Sequence, residues 1–273
     1  MLVGRRQSYT PNTTIPMIPL RDNIPPHSFP YVNYGIIALC TLAFLAQMSG
    51  NGEGGSIVEQ YGMVPIRLTR PDEAAVMTIQ EAVQTPTGIV VQEREHVLAE
   101  SALPPWMTLI TCMFLHGGIM HFLGNMWFLH IFGDNVEDRF GHVGYALMYL
   151  GTGIFAGLSH LVTNLASPIP TIGASGAIAG VMGAYLVLYP HSRVQAFLPP
   201  IFSFVLPAPV FLGIWFVMQT FNGISTLGAS ASTGVAWWAH SGGFIAGVIA
   251  AFMIRNTALG RPAVTQRRAF ASR

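Results

Sequence analysis

Three short stretches of this 273-residue chain carry side chains able to do acyl-transfer chemistry. The first is GASGAIAG, where Ser175 stands in an apolar run with glycines at 173, 176, 180 and 183. A lone serine in such a run can cap a helix or bond back to a carbonyl; to act as a nucleophile it needs a base. The second stretch, AWWAHSGGFIAG, offers one in His240. A histidine there can equally serve packing, although an ionisable residue at membrane depth is a functional candidate in its own right. The third, FLHGGIMHFLGNM, sets His121 and Asn125 four residues apart, one above the other on a single helix face. Both can direct N–H groups at a developing oxyanion, or simply join neighbouring helices by hydrogen bonds. His116, nearer the surface, is placed to organise the loop entering that stretch.

Such groups react only if the elements bearing them bring them to one place. The chain is 51% hydrophobic and only 9% charged, against about 25% charged for a soluble domain. It therefore reads as a polytopic membrane protein. Apolar segments of roughly bilayer length fall at 33–49, 115–133, 143–164, 172–189, 201–221 and 234–254. The fold expected is an all-α bundle of six transmembrane helices, preceded by an N-terminal tail (1–32) and followed by a basic tail (255–273). The first apolar run begins only near Tyr34, too late for a secretory signal. Cys40 and Cys112, both in or beside apolar runs, do not make a disulfide framework.

An even number of spans puts both ends on one side, and the arginines choose it. There is no lysine; Arg5, Arg6, Arg21, Arg139, Arg193, Arg255, Arg261, Arg267, Arg268 and Arg273 share the side of the termini. Only Arg67, Arg70 and Arg94 lie opposite. That asymmetry places both termini in the cytoplasm, with loop 50–104 outside. The loop holds eight acidic residues, and its VVQEREHVLAE stretch reads as a short amphipathic helix at the membrane surface. After the second span, Glu137, Asp138 and Arg139 read either as cytoplasmic packing or as a solvated turn, and Trp237 and Trp238 as an interfacial aromatic belt.

Depth ties the three stretches together. Pro168 and Pro170 keep the fourth helix from starting before about 172. Its length of about 27 Å then falls short of the ~30 Å hydrocarbon core. Ser175 would sit in the first turn, below the outer surface, beside unpaired N–H groups and a positive dipole end. His240 lies roughly 9 Å inside the outer end of the sixth span. Each glycine in a helix costs up to ~1 kcal/mol against alanine, so the glycines need a use. Gly176, Gly180 and Gly183 form one small-residue stripe; Ala236, His240, Gly243, Gly247 and Ala251 share another face. Such faces let helix backbones approach closely in lipid and would bring Ser175 and His240 within reach.

From Tyr31 to Arg255 the chain resembles the rhomboid family of intramembrane serine proteases. The marks are GASG around Ser175, AHSGG around His240, HGGIMHFLGNM around His121 and Asn125, and six spans in this order. YGMVPIRL, DNVEDRFG and WFVMQ also look like bacterial members. The resemblance implies a Ser175–His240 dyad without an aspartate. It further implies an oxyanion site of His121, Asn125 and the Ser175 backbone, with Gly173, Gly176, Gly180, Gly243 and Gly247 in support. The partners implied are transmembrane protein substrates entering from the bilayer, with no nucleic acid, no metal and no organic cofactor. The location implied is a bacterial inner (plasma) membrane. Two positions depart from some members: Met107 stands where arginine follows the tryptophan, and Ala179 where an aromatic packs on the histidine. The rival readings are an inactive rhomboid-like protein that binds transmembrane segments, and a small-molecule transporter. Inactive relatives typically lack the serine or histidine, and a transporter would place broken helices at midplane.

Overall fold

The computed structural model describes residues 17–49, 56–85, 88–198, 202–225 and 235–257. A strand, β1 (Ile18–Asp22), leads into helix α1 (Tyr31–Ser49). One-turn helices α2 (Ile57–Tyr61) and α3 (Pro65–Thr69) precede a hairpin of β2 (Val76–Thr85) and β3 (Gly88–Val97). A short helix α4 (Thr108–Thr111) lies between 3-10 turns and enters α5 (Ile119–Thr163). Next come α6 (Ser175–Leu188), β4 (Arg193–Leu198), β5 (Phe202–Pro207), α7 (Ala208–Ser225) and α8 (Trp237–Ile254). The 45-residue α5 is two helices broken at Gly141, whose φ of 71° suits glycine and ends the regular ladder. Among the described residues three helices, α1, α5 and α8, are long and apolar enough to cross a membrane, whereas α6 is shorter.

Helix α6 is the centre of the molecule. Every residue from Gly176 to Tyr185 is buried, packed against α5 and α8. Its 14 residues span about 21 Å, well short of a ~30 Å hydrocarbon core. The core below it is aromatic, with Phe132, Tyr145, Tyr149, Tyr185 and Phe211 fully buried. Asn33, also fully buried, is satisfied at both ends of its amide: it accepts from Tyr145 Oη at 2.8 Å and donates to the Leu129 carbonyl at 3.1 Å.

Several expectations need correction. The chain is not wholly helical. β1, β4 and β5 form an antiparallel sheet with β4 in the middle, and β2 pairs with β3. The strand β5 occupies the start of the expected fifth span, so that helix begins at Ala208 rather than 201. Phe202–Pro207 (FSFVLP) has Ser203 as its one polar residue, so no period-2 signal separates the strand from the apolar run around it. VVQEREHVLAE is not a helix: its first part is β3, rich in valine and paired along its length with β2. Nor is all of 1–32 a free tail. Residues 18–22 pair with β4, and Trp127 Nε1 donates to the Pro19 carbonyl at 2.6 Å. The rest of that stretch up to residue 16, and the C-terminal arginines from 261 onward, lie outside the described residues.

Of the two readings for Glu137 and Asp138, packing is the one observed. Glu137 is buried and accepts from the Val32 and Asn33 amides at 3.0 and 2.7 Å and from His142 Nδ1 at 2.5 Å. Those amides open α1 and have no partner within their own helix. Asp138 accepts from the His27 and Ser28 amides at 2.5 and 3.0 Å. Two carboxylates of α5, about a hundred residues away in sequence, thus fix where α1 begins.

The segment between α1 and α4 folds on its own small core of Val64, Ile66, Ala75 and Leu98. The Arg67 guanidinium binds it together by donating to the Glu59 and Ala99 carbonyls, while the Glu59 carboxylate accepts from the Ala99 amide at 2.8 Å. Partial burial acts to raise the Glu59 carboxyl, but the Ala99 amide and His96, 3.1 Å away, outweigh it and hold it below its usual value. A carboxyl lowered on folding stabilises above its unfolded pKa and loses that contribution as pH falls through the folded value. Hydrogen exchange at the Ala99 amide, normalised for the intrinsic pH dependence, should therefore accelerate on acidification. In Glu59→Gln, which keeps an acceptor without the charge, the pH dependence should flatten. Equal pH dependence in both proteins would remove Glu59 from this role.

Candidate active site

Ser175 is the first residue of α6. The chain reaches it through residues 165–173, which the segment around α3 holds from one side. Thr171 and Met63 exchange both backbone hydrogen bonds, at 2.7 and 3.1 Å. The Ile66 amide donates to the Ser167 carbonyl at 3.1 Å, and Thr69 Oγ1 to the Leu165 carbonyl at 2.6 Å. That segment is anchored in turn by Thr111 Oγ1, which donates to the Tyr61 carbonyl at 2.6 Å. These bonds do the holding in a chain that has Met107 after Trp106, a tryptophan that is itself largely exposed.

Gly173 turns the chain into the helix. Its φ of +128° is a conformation that side chains disfavour. A Cβ placed there would also lie 2.9 Å from both Cε1 and Nε2 of His121 and 3.5 Å from Ser175 Oγ. His121 therefore packs directly on the glycine two residues before the serine. The Gly117 amide donates to His121 Nδ1 at 3.3 Å, which assigns the imidazole proton to Nε2, the edge facing Gly173. One turn further along α5, Asn125 is buried, and its Nδ2 has no hydrogen-bond partner. A buried donor left unpaired costs about 1–3 kcal/mol, a state that needs a reason.

The backbone adds donors. The Gly173 amide is committed to the Cys112 carbonyl at 2.9 Å, and the Ile178 amide to Ala174 at 2.9 Å. The amides of Ser175 to Ala177 precede the helical ladder, at its positive end. His116 has a different place. Its backbone exchanges hydrogen bonds with the Gln47 amide group, both at 3.0 Å, and its buried ring lies edge-on to Phe44, Phe122 and His121.

His240 Nε2 lies 2.7 Å from Ser175 Oγ, across 65 residues of sequence. The histidine sits in the first turn of α8, which begins at Trp237, so it is nearer the helix end than its expected depth, and Ala236 precedes the helix. The small-residue faces meet in a particular way. A Cβ on Gly243 would strike the Gly176 carbonyl, and one on Gly247 the Gly180 carbonyl. On the other side of α6, a Cβ at Gly176 would meet Ala156 of α5 at 2.7 Å, and one at Gly180 would strike Thr152. Gly176 and Gly180 thus admit α5 at their α-carbons and α8 at their carbonyls. Sequence periodicity could not separate the two contacts.

Sequence reasoning did not anticipate what surrounds His240. With Ala179 on the buried side of α6, the ring is faced instead by Trp215 of α7 at 5.9 Å between centroids and by Trp237 at 6.2 Å, edge-on. Trp237 therefore has a contact beyond the aromatic belt expected of it. Gln219, four residues after Trp215 and on the same face of α7, sets its Oε1 2.7 Å from His240 Nδ1. The signal was the WFVMQ stretch itself: a glutamine in an apolar helix needs a partner.

Residues 104–257 match the Rhomboid domain. The chain belongs to the rhomboid family. That makes it an integral membrane protein of a polytopic, helical fold. Among similar proteins, RHOMBOID-like protein 5 of Arabidopsis thaliana is 29% identical over 153 residues, covering 54% of this chain and 43% of that protein. The putative rhomboid protease YdcA of Bacillus subtilis is 36% identical over 83 residues, covering 30% and 41%. The rhomboid protease GluP of the same organism is 39% identical over 88 residues, covering 32% and 17%. The chain spans less than half the length of each. Rhomboid proteases act on membrane proteins within the bilayer, and the Rhomboid domain here contains every residue described above from Trp106 to His240.

Proposed function

We propose that this protein is an intramembrane serine endopeptidase, with Ser175 as nucleophile and His240 as its base. The observation that carries the reading is the 2.7 Å contact between Ser175 Oγ and His240 Nε2. In the forward step Ser175 Oγ attacks a substrate carbonyl carbon, and its proton passes to His240 Nε2. The tetrahedral oxyanion is met by the Ser175 amide, His121 Nε2–H and Asn125 Nδ2. His240 then gives the proton to the leaving amine, and water repeats the cycle on the acyl-enzyme. The substrates are transmembrane or membrane-anchored proteins with small or helix-breaking residues near the outer boundary, because an intact helix hides its carbonyls. A fluorophosphonate should label the purified protein and fail to label Ser175→Ala. Equal labelling of both, or no labelling of a correctly folded wild type, would refute the assignment and favour a protein that only binds transmembrane segments.

The unpaired Nδ2 supports Asn125 as an oxyanion donor. Removing one such donor costs about 3–4 kcal/mol in kcat, so Asn125→Ala should turn over roughly 100- to 1,000-fold more slowly with KM little changed. An unchanged kcat would exclude it.

Six crossings, counting α5 as two, would leave both termini in the cytoplasm of a bacterial inner membrane. β1, carrying Arg21, pairs with β4, which opens at Arg193, while Arg139 Nη1 donates to the Leu188 carbonyl; three of the arginines assigned inside are thus near one another. A reporter fused after Arg273 should be cytoplasmic and one inserted near residue 85 external; the reverse pattern would overturn the orientation.

A further inference from the structure

His240 is held at both ring nitrogens, and only one of those contacts belongs to the dyad. Gln219 Oε1 lies 2.7 Å from Nδ1. A carboxamide oxygen only accepts, so the proton of the neutral ring is on Nδ1 and the lone pair on Nε2 faces Ser175. We infer that Gln219 is a positioning residue that fixes the His240 tautomer and ring orientation. This rests on the reading of His240 as the base.

The alternative tautomer would aim an N–H at Ser175 Oγ and could not take its proton. When Nε2 accepts the serine proton, the ring becomes an imidazolium, and its Nδ1–H remains donated to the Gln219 oxygen, a bond that strengthens as the ring gains charge. No proton passes to Gln219, and Nε2 returns its own to the leaving amine. An amide suits this place because an unpaired carboxylate at membrane depth is expensive, whereas a neutral acceptor orients the ring without a buried charge.

A mere tether between α7 and α8 is the competing role, and the neighbouring residue provides the control. Thr220 Oγ1 lies 3.1 Å from Ser241 Oγ, a second polar link between the same two helices that does not reach the histidine ring. The test compares Gln219→Leu, Gln219→Asn and Thr220→Val with the wild type on a transmembrane reporter. It adds 15N NMR of the His240 imidazole, identified by its loss in His240→Ala. Gln219→Leu should lower kcat about ten- to a hundredfold, the range of one buried hydrogen bond, with KM little changed. Gln219→Asn should recover part of that loss, and Thr220→Val should leave kcat as it was. Nδ1 should carry the proton in the wild type, and both nitrogens should share it in Gln219→Leu. Wild-type kcat in Gln219→Leu, an equal loss in Thr220→Val, or an unchanged tautomer would overturn the inference. Wild-type cleavage by Ser175→Ala would instead remove the reading beneath it, and the tautomer measurement, which needs no turnover, would still decide whether Gln219 holds the ring.

Discussion

Ser175→Ala, purified free of other proteases, should cleave a transmembrane reporter in liposomes at no more than the background rate while melting like the wild type. His240→Ala should do nearly the same. In the proposed mechanism the two groups share one proton, and with 2.7 Å between Oγ and Nε2 neither would work without the other. Losses from members of such a unit do not add. The double variant should therefore be little slower than either single one, although each single loss spans several orders of magnitude. Additive losses would mean that His240 acts on something other than Ser175. Cleavage by Ser175→Ala at the wild-type rate would leave the serine with the role of opening a helix.

Gly247→Leu should be nearly as damaging, although it lies seven residues from the histidine and touches no reacting atom. A Cβ at this position would strike the Gly180 carbonyl, which is backbone and cannot rotate away. Leucine must therefore push α8 off α6. A shift of about 1 Å at the reacting groups costs on the order of a hundredfold in rate, and overpacking costs about 1–3 kcal/mol of stability as well. We expect kcat to fall at least a hundredfold and the melting temperature to fall with it. Gly151→Leu is the control, because nothing lies within 4 Å of a Cβ there. Full activity in Gly247→Leu would show that these glycines do not set the distance between the helices.

How much of this was legible in the sequence depended on the kind of signal. Apolar runs marked the helices because a bilayer imposes length and composition together. They could not reveal that residues 202–207 are a strand, since FSFVLP, with a single polar residue, reads like the edge of a span. Ser175, His240, His121 and Asn125 stood out as polar groups at one end of apolar segments, where each must have a partner or a function. Gln219 satisfies the same criterion and lay in a quoted stretch, yet its meeting with His240 depends on how α7 turns, and no periodicity in α7 fixes that angle. The roles of Glu137 and Asp138 were hidden for another reason. A carboxylate after a helix is usually solvated, and the amides these two accept from lie about a hundred residues earlier in the chain.

The separation of Ser175 from His240 also has a meaning in time. A ribosome adds roughly 5–20 residues each second, so the 65 residues between them take several seconds to make. Throughout that interval the membrane holds a chain with the proposed nucleophile but without its proposed base. On the proposed dyad, reactivity would arrive last, with α8, once that helix seats against the carbonyls of Gly176 and Gly180. A nascent chain among other half-inserted membrane proteins would thereby be inert while its neighbours are most exposed.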